Sequence, residues 1–162
     1  MKKILNFYFR FPVLLDYLLG FCVIGVVHYY IKQCVITVPK ADTVSDYASE
    51  TTTVLLTLAG FILTFLTLLI TFKTGKVERS NPTLMERFCN SSLYGDTTTL
   101  LKDGIKSLLF VTLVIYLFRF VNILGVWALY YWIIFSIVVL LLTILRALFI
   151  LDNILKFHTD NT

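Results

Sequence analysis

Four long apolar runs, at residues 12–31, 51–72, 105–121 and 126–151, constrain this chain more than any other feature. A hydrocarbon layer of about 30 Å takes roughly 20 apolar helical residues to cross, so runs of this kind read as transmembrane helices. The third run is the shortest; at ~1.5 Å per residue it reaches about 25 Å and borrows length from Lys106 and Asn122 at its ends. The 162-residue chain is 58% hydrophobic and only 15% charged, with a mean hydropathy of +0.85, which excludes an ordinary water-soluble domain. The predicted class is all-α: an integral membrane protein of four transmembrane helices in an antiparallel bundle, one membrane domain over 1–162 with a single sizeable loop at 73–104.

Charge gives the orientation. Of the 14 Lys and Arg, only Lys32, Lys40 and Arg119 fall on the far side of the four spans. The positive-inside rule therefore puts both termini and the 73–104 loop in the cytoplasm, with the spans in the inner (plasma) membrane. The net charge of +4 is met by anionic lipid and calls for no nucleic-acid partner. Lys2 and Lys3 ahead of an apolar run resemble the start of a signal peptide. No small-x-small cleavage site follows, however, and Asp16 interrupts the run, so a retained first span is expected. Cys22, Cys34 and Cys89 fall on different levels and suggest neither a disulfide framework nor a metal cluster.

Within the second run, Thr53, Thr57, Gly60, Thr64, Thr67 and Thr71 are spaced so that, at about 100° per residue, they share an arc of roughly 80° on one helix face. Carried backward, the stripe takes in Asp46, Ser49 and Glu50. Such a stripe has two uses. Small and hydroxylated residues let helices pack closely, each hydroxyl bonding the carbonyl one turn back. Hydroxyls also line aqueous pores, where they replace hydration without trapping an ion. Packing is the commoner use, but the continuity from Asp46 and Glu50 at an outer mouth to Lys73 and Lys76 inside is what a path needs. A small bundle has a filled centre, so a path requires a homo-oligomer with the second helix innermost. The same carboxylates, with Asp42, also complement the positive end of the helix dipole.

Other polar positions are sparse. Asp16 sits about one turn inside the first span; it is either an ion- or proton-handling group or the partner of Arg10 or Arg146. His28 belongs at the interface, and Arg119 is placed to meet Glu50. In the central loop, Ser80-Asn81-Pro82 starts a short helix that Gly95 stops, and Asp96 caps a second helix that runs into the third span. The loop is too small for its own core, so it is expected to lie on the membrane, pack under the spans or dock to another chain; in the last case Arg79, Arg87 and Lys102 are the candidate contacts for a cytosolic protein partner. No zinc-protease, phosphate-loop or nucleophile-elbow motif occurs, and threonine alone is a poor base. Neither an enzyme activity nor a metal or cofactor is expected.

The size, the span count, the basic loop and the TLAGFILT segment at Thr57 to Thr64 together resemble small four-span membrane proteins of prokaryotic phage-defence systems, such as the membrane subunit of Kiwa-type systems and the membrane accessory proteins of some CRISPR loci. The resemblance implies a membrane effector or sensor that works with a cytosolic partner. The sequence therefore favours an ion-channel-like effector, with a non-conducting sensor or anchor as the alternative.

Overall fold

The computed structural model describes residues 12–74, 92–121 and 125–159, the last with side chains to residue 150. Every element among them is a helix: α1 (Pro12–Lys32), α2 (Ala41–Thr74), α3 (Ser92–Val121) and α4 (Gly125–Thr159). Arg10, Arg79, Arg87 and the expected helix start at Ser80-Asn81-Pro82 lie outside the described residues. Three helices are long and apolar enough to cross a membrane: α1, α2 and the Gly125–Ile150 part of α4. Helix α3, whose apolar part is flanked by Asp103, Lys106 and Arg119, is not among them. Large apolar side chains stand exposed on all four helices, among them Phe21, Phe61, Leu113 and Leu145. That much apolar surface is untenable in water and ordinary in lipid.

Local chemistry explains the helix ends. Helix α1 begins at Pro12, whose missing N–H costs nothing in a first turn. It closes where Cys34 adopts φ 57°, with the Cys34 N–H donating to the Ile31 carbonyl at 3.0 Å and the Val35 N–H to Tyr30 at 3.1 Å. This is the left-handed closure usually given to glycine. Helix α2 starts well ahead of its apolar run. Asp42 sits in its first turn, and the Lys40 carbonyl accepts from the Val44 N–H at 3.0 Å. Gly95 does not stop a helix, as its composition suggested, because α3 begins at Ser92 and runs through Gly95 and Asp96 without a break. A glycine inside a helix costs only about 1 kcal/mol, less than the burial of Tyr94, Thr97 and Leu101 around it returns.

The core is built from one heptad-spaced face of α2 (Val44, Ala48, Thr52, Leu55, Ala59, Ile62, Leu66 and Leu69) together with buried residues of α3 and α4 such as Leu108, Val111, Phe135 and Val139. Helix α2 packs chiefly on α3, while α1 packs chiefly on α4 and touches α3 only lightly. The consecutive helices α1 and α2 do not form a packed pair. The arrangement is a three-helix core of α2, α3 and α4, with α1 leaning on α4 from outside. The two helices are tightly packed at Gly20, where a Cβ would lie 2.5 Å from the Phe135 ring.

Candidate functional site

The stripe of α2 lies on its outward face. Thr53, Thr57, Gly60, Thr64, Thr67 and Thr71 are all exposed, and at about 100° per residue the centre of the stripe is roughly 150° from the centre of the buried face. At Gly60 the stripe is open, and a Cβ there would meet nothing within 4 Å. The hydroxyls are oriented alike. Thr53 donates to Ser49 O at 2.9 Å, Thr57 to Thr53 O at 2.8 Å, Thr64 to Gly60 O, Thr67 to Leu63 O and Thr71 to Thr67 O at 2.9 Å each. With the proton spent on the helix, each oxygen turns only acceptor lone pairs outward. A row of acceptors suits water or a cation and repels an anion.

Asp46 and Glu50 continue this face beyond the apolar run, both exposed. Arg119 of α3 does not take Glu50; its guanidinium donates to Ser49 Oγ at 2.6 Å. The N-terminal end of the stripe thus carries two carboxylates and one guanidinium turned to a neutral acceptor. At the other end of α2, Lys73 Nζ sits 4.4 Å from the centroid of the Tyr94 ring, a cation–π contact with the first turn of α3. These two contacts fix the register of the pair, because α3 accompanies α2 along the whole stretch from Ser49 to Lys73.

A second polar set crosses the bundle at one level. Arg146 of α4 donates to Asp16 of α1 in an ion pair whose side chains are 2% and 1% exposed. Beside it, Ser107 Oγ donates to the Tyr17 hydroxyl at 3.2 Å, and a Cβ on Gly104 would lie 3.4 Å from Thr143 Cγ2. On the outer surface of the same turn of α3, Lys106 and Asp103 pair at 3.6 Å, and Lys102 is exposed one turn away. Of the two partners the sequence offered Asp16, Arg146 is the one it meets. Sequence reasoning placed Lys106 at a span boundary and passed over Asp103 and Ser107. The available signal was the helical spacing of Lys102, Asp103, Lys106 and Ser107.

The opposite end is aromatic. His28 Nδ1 and the Tyr131 hydroxyl lie 2.8 Å apart, with their rings edge to face at 5.8 Å, and Trp127 and Tyr130 stand against Tyr131. Comparison with protein-family models, with curated proteins and with solved structures returns no match for this chain.

Proposed function

We propose that the protein is a four-span antiparallel bundle of a prokaryotic inner membrane, both termini cytoplasmic, whose copies assemble into a channel-like pore with α2 nearest the axis. The observation that carries the proposal is the outward position of Thr53, Thr57, Gly60, Thr64, Thr67 and Thr71. Had they faced α1 or α3 they would be a packing seam within one subunit; facing outward, they are available to a second copy and to water between copies. The uniform inward donation of the hydroxyls favours a cation in that water, and Asp46 and Glu50 at the outer mouth favour the same sign of charge.

Two observations support the span count and topology. Helix α3 runs beside α2 between the Ser49 and Lys73 contacts, so it covers the thickness that α2 covers. The α1–α4 contacts run in opposite order along the two helices, Asp16 with Arg146 and His28 with Tyr131, as antiparallel neighbours require. The resemblance of the TLAGFILT segment extends the proposal to a membrane effector in antiviral defence.

The test is purified protein in a planar bilayer, with Thr64→Leu and Glu50→Gln beside wild type. Discrete wild-type currents, a several-fold smaller conductance in Thr64→Leu and weaker cation preference in Glu50→Gln are expected. An intact oligomer that passes no current above background overturns the pore. The sensor reading, with Arg79, Arg87 and Lys102 holding a cytosolic partner, then takes its place.

A further inference from the structure

Ser49 and Glu50 are consecutive residues of α2, and they fall on opposite flanks of the threonine stripe. At about 100° per residue, Ser49 lies about 40° to one side of Thr53 and Glu50 about 60° to the other. The Ser49 flank is the one that α3 lies along, because Arg119 donates to Ser49 Oγ at 2.6 Å. One turn of α2 therefore has a guanidinium on its α3 flank and a carboxylate on the flank away from α3, at nearly one depth.

Neither charge is used up inside the subunit. Arg119 and Glu50 are both exposed, and among the described residues Glu50 and Asp46 enter no ion pair. Arg119 gives its hydrogen bond to a neutral hydroxyl, while a guanidinium carries five N–H donors. Each flank also joins its charge to apolar surface. Phe120, beside Arg119, is 92% exposed, and Val54 and Phe61 on the Glu50 flank are 50% and 70% exposed.

Rotational symmetry turns the two flanks into one contact. Copies related by an axis through the membrane share one depth, and in a ring each turns one flank to the neighbour on its left and the other to the neighbour on its right. With α2 nearest the axis, the α3 flank of one copy meets the far flank of the next, and guanidinium faces carboxylate. A two-fold pairing through the α3 flanks would instead oppose guanidinium to guanidinium.

We propose that Arg119 of one copy and Glu50 of the next form an ion pair between subunits, repeated around a ring whose copies meet head to tail along α2. The proposal rests on the oligomeric reading above, and it identifies the occupant of each flank as the unlike flank of a second copy. Asp46, about 20° from Thr53, is left as the acid turned to the axis. In the separated subunit Arg119 has Ser49 and gains nothing from Glu50, so coupling between the two charges belongs to the assembly. Exposed ion pairs are individually weak and screened by salt, but a ring closes with as many as it has copies.

Charge reversal tests this in the full chain, read as the oligomer fraction at low ionic strength. Arg119→Glu and Glu50→Arg are each expected to lower it several-fold, and the double variant to return it to within twofold of wild type. A double variant as dissociated as the single ones overturns the pair. Because Arg119→Glu also removes the bond to Ser49, disulfide trapping gives an independent reading. With Cys22, Cys34 and Cys89 replaced by Ser, copies carrying Arg119→Cys are reconstituted together with copies carrying Glu50→Cys and oxidised. Covalent dimers of unlike variants at least tenfold in excess of like ones are expected. If Gly60→Cys copies are trapped as dimers but unlike pairs show no excess, the ion pair is overturned and assembly along α2 stands. If Gly60→Cys is not trapped either, the oligomeric reading falls with the pair.

Discussion

Asp16 and Arg146, separated by 130 residues of chain, form a buried ion pair that ties α1 to α4. Removing one member leaves the other buried without its counter-charge, a loss that costs about 3–5 kcal/mol in protein interiors. Asp16→Ala and Arg146→Ala are each expected to lower the unfolding midpoint in detergent sharply. The double variant Asp16→Leu, Arg146→Leu is expected to recover most of that loss, because no lone charge remains. Two single variants that denature as wild type does would show that the pair contributes nothing.

At Gly20, α1 packs directly on the Phe135 ring of α4. Its Cβ would stand 2.5 Å and 2.6 Å from two carbons of the Phe135 ring, and Phe135 is 1% exposed with nowhere to turn. Gly20→Ala should therefore destabilise the protein by about 1–3 kcal/mol, the usual cost of overpacking. Gly25→Ala, where a Cβ meets nothing within 4 Å, should stay within about 0.5 kcal/mol of wild type. Thermal unfolding of the two variants side by side decides the matter, and Phe135→Leu should relieve the first.

Gly60 separates fold from assembly. A Cβ there meets nothing within 4 Å, and the position is on the exposed face of α2, so Gly60→Leu is expected to leave helix content and unfolding midpoint unchanged to about 0.5 kcal/mol. If copies meet along α2, the same substitution lowers the oligomer fraction in gel filtration and native mass measurement several-fold. An unchanged oligomer would place the contact between copies on another helix.

Near the C-terminal end of α3, the Arg119 to Ser49 hydrogen bond is an exposed, charge-assisted link to α2. Its coupling should be modest, about 0.5–1.5 kcal/mol in a double-mutant cycle of Ser49→Ala with Arg119→Gln. A cycle with Glu50→Gln in place of Ser49→Ala should show less coupling, because Arg119 turns to the hydroxyl.

The helices were legible in the sequence because an apolar run of bilayer length can do little else. The pairing of Asp16 with Arg146 was legible for a related reason, since a carboxylate at that depth needs a cation and few were within reach. The direction of the threonine stripe was not. Periodicity gathers Thr53 to Thr71 on one side of α2, but the opposite side is Leu, Ile and Ala, which serve a protein core and a lipid face equally well. Only the packing on α3 and α4 distinguishes them. Arg119 was assigned to Glu50 by charge, and a hydroxyl one residue away lay in better phase.

The lean of α1 on α4 also orders biogenesis. Helix α1 is made before α4, yet among the described residues it packs chiefly on α4. Until Arg146 is made, Asp16 lacks the counter-charge it meets in the finished bundle, and Gly20 lacks the Phe135 ring it packs on. The packing of α1 is therefore completed only once α4 is in place. A product truncated ahead of Arg146 strands its own first span, giving membrane quality-control proteases an unassembled helix to extract.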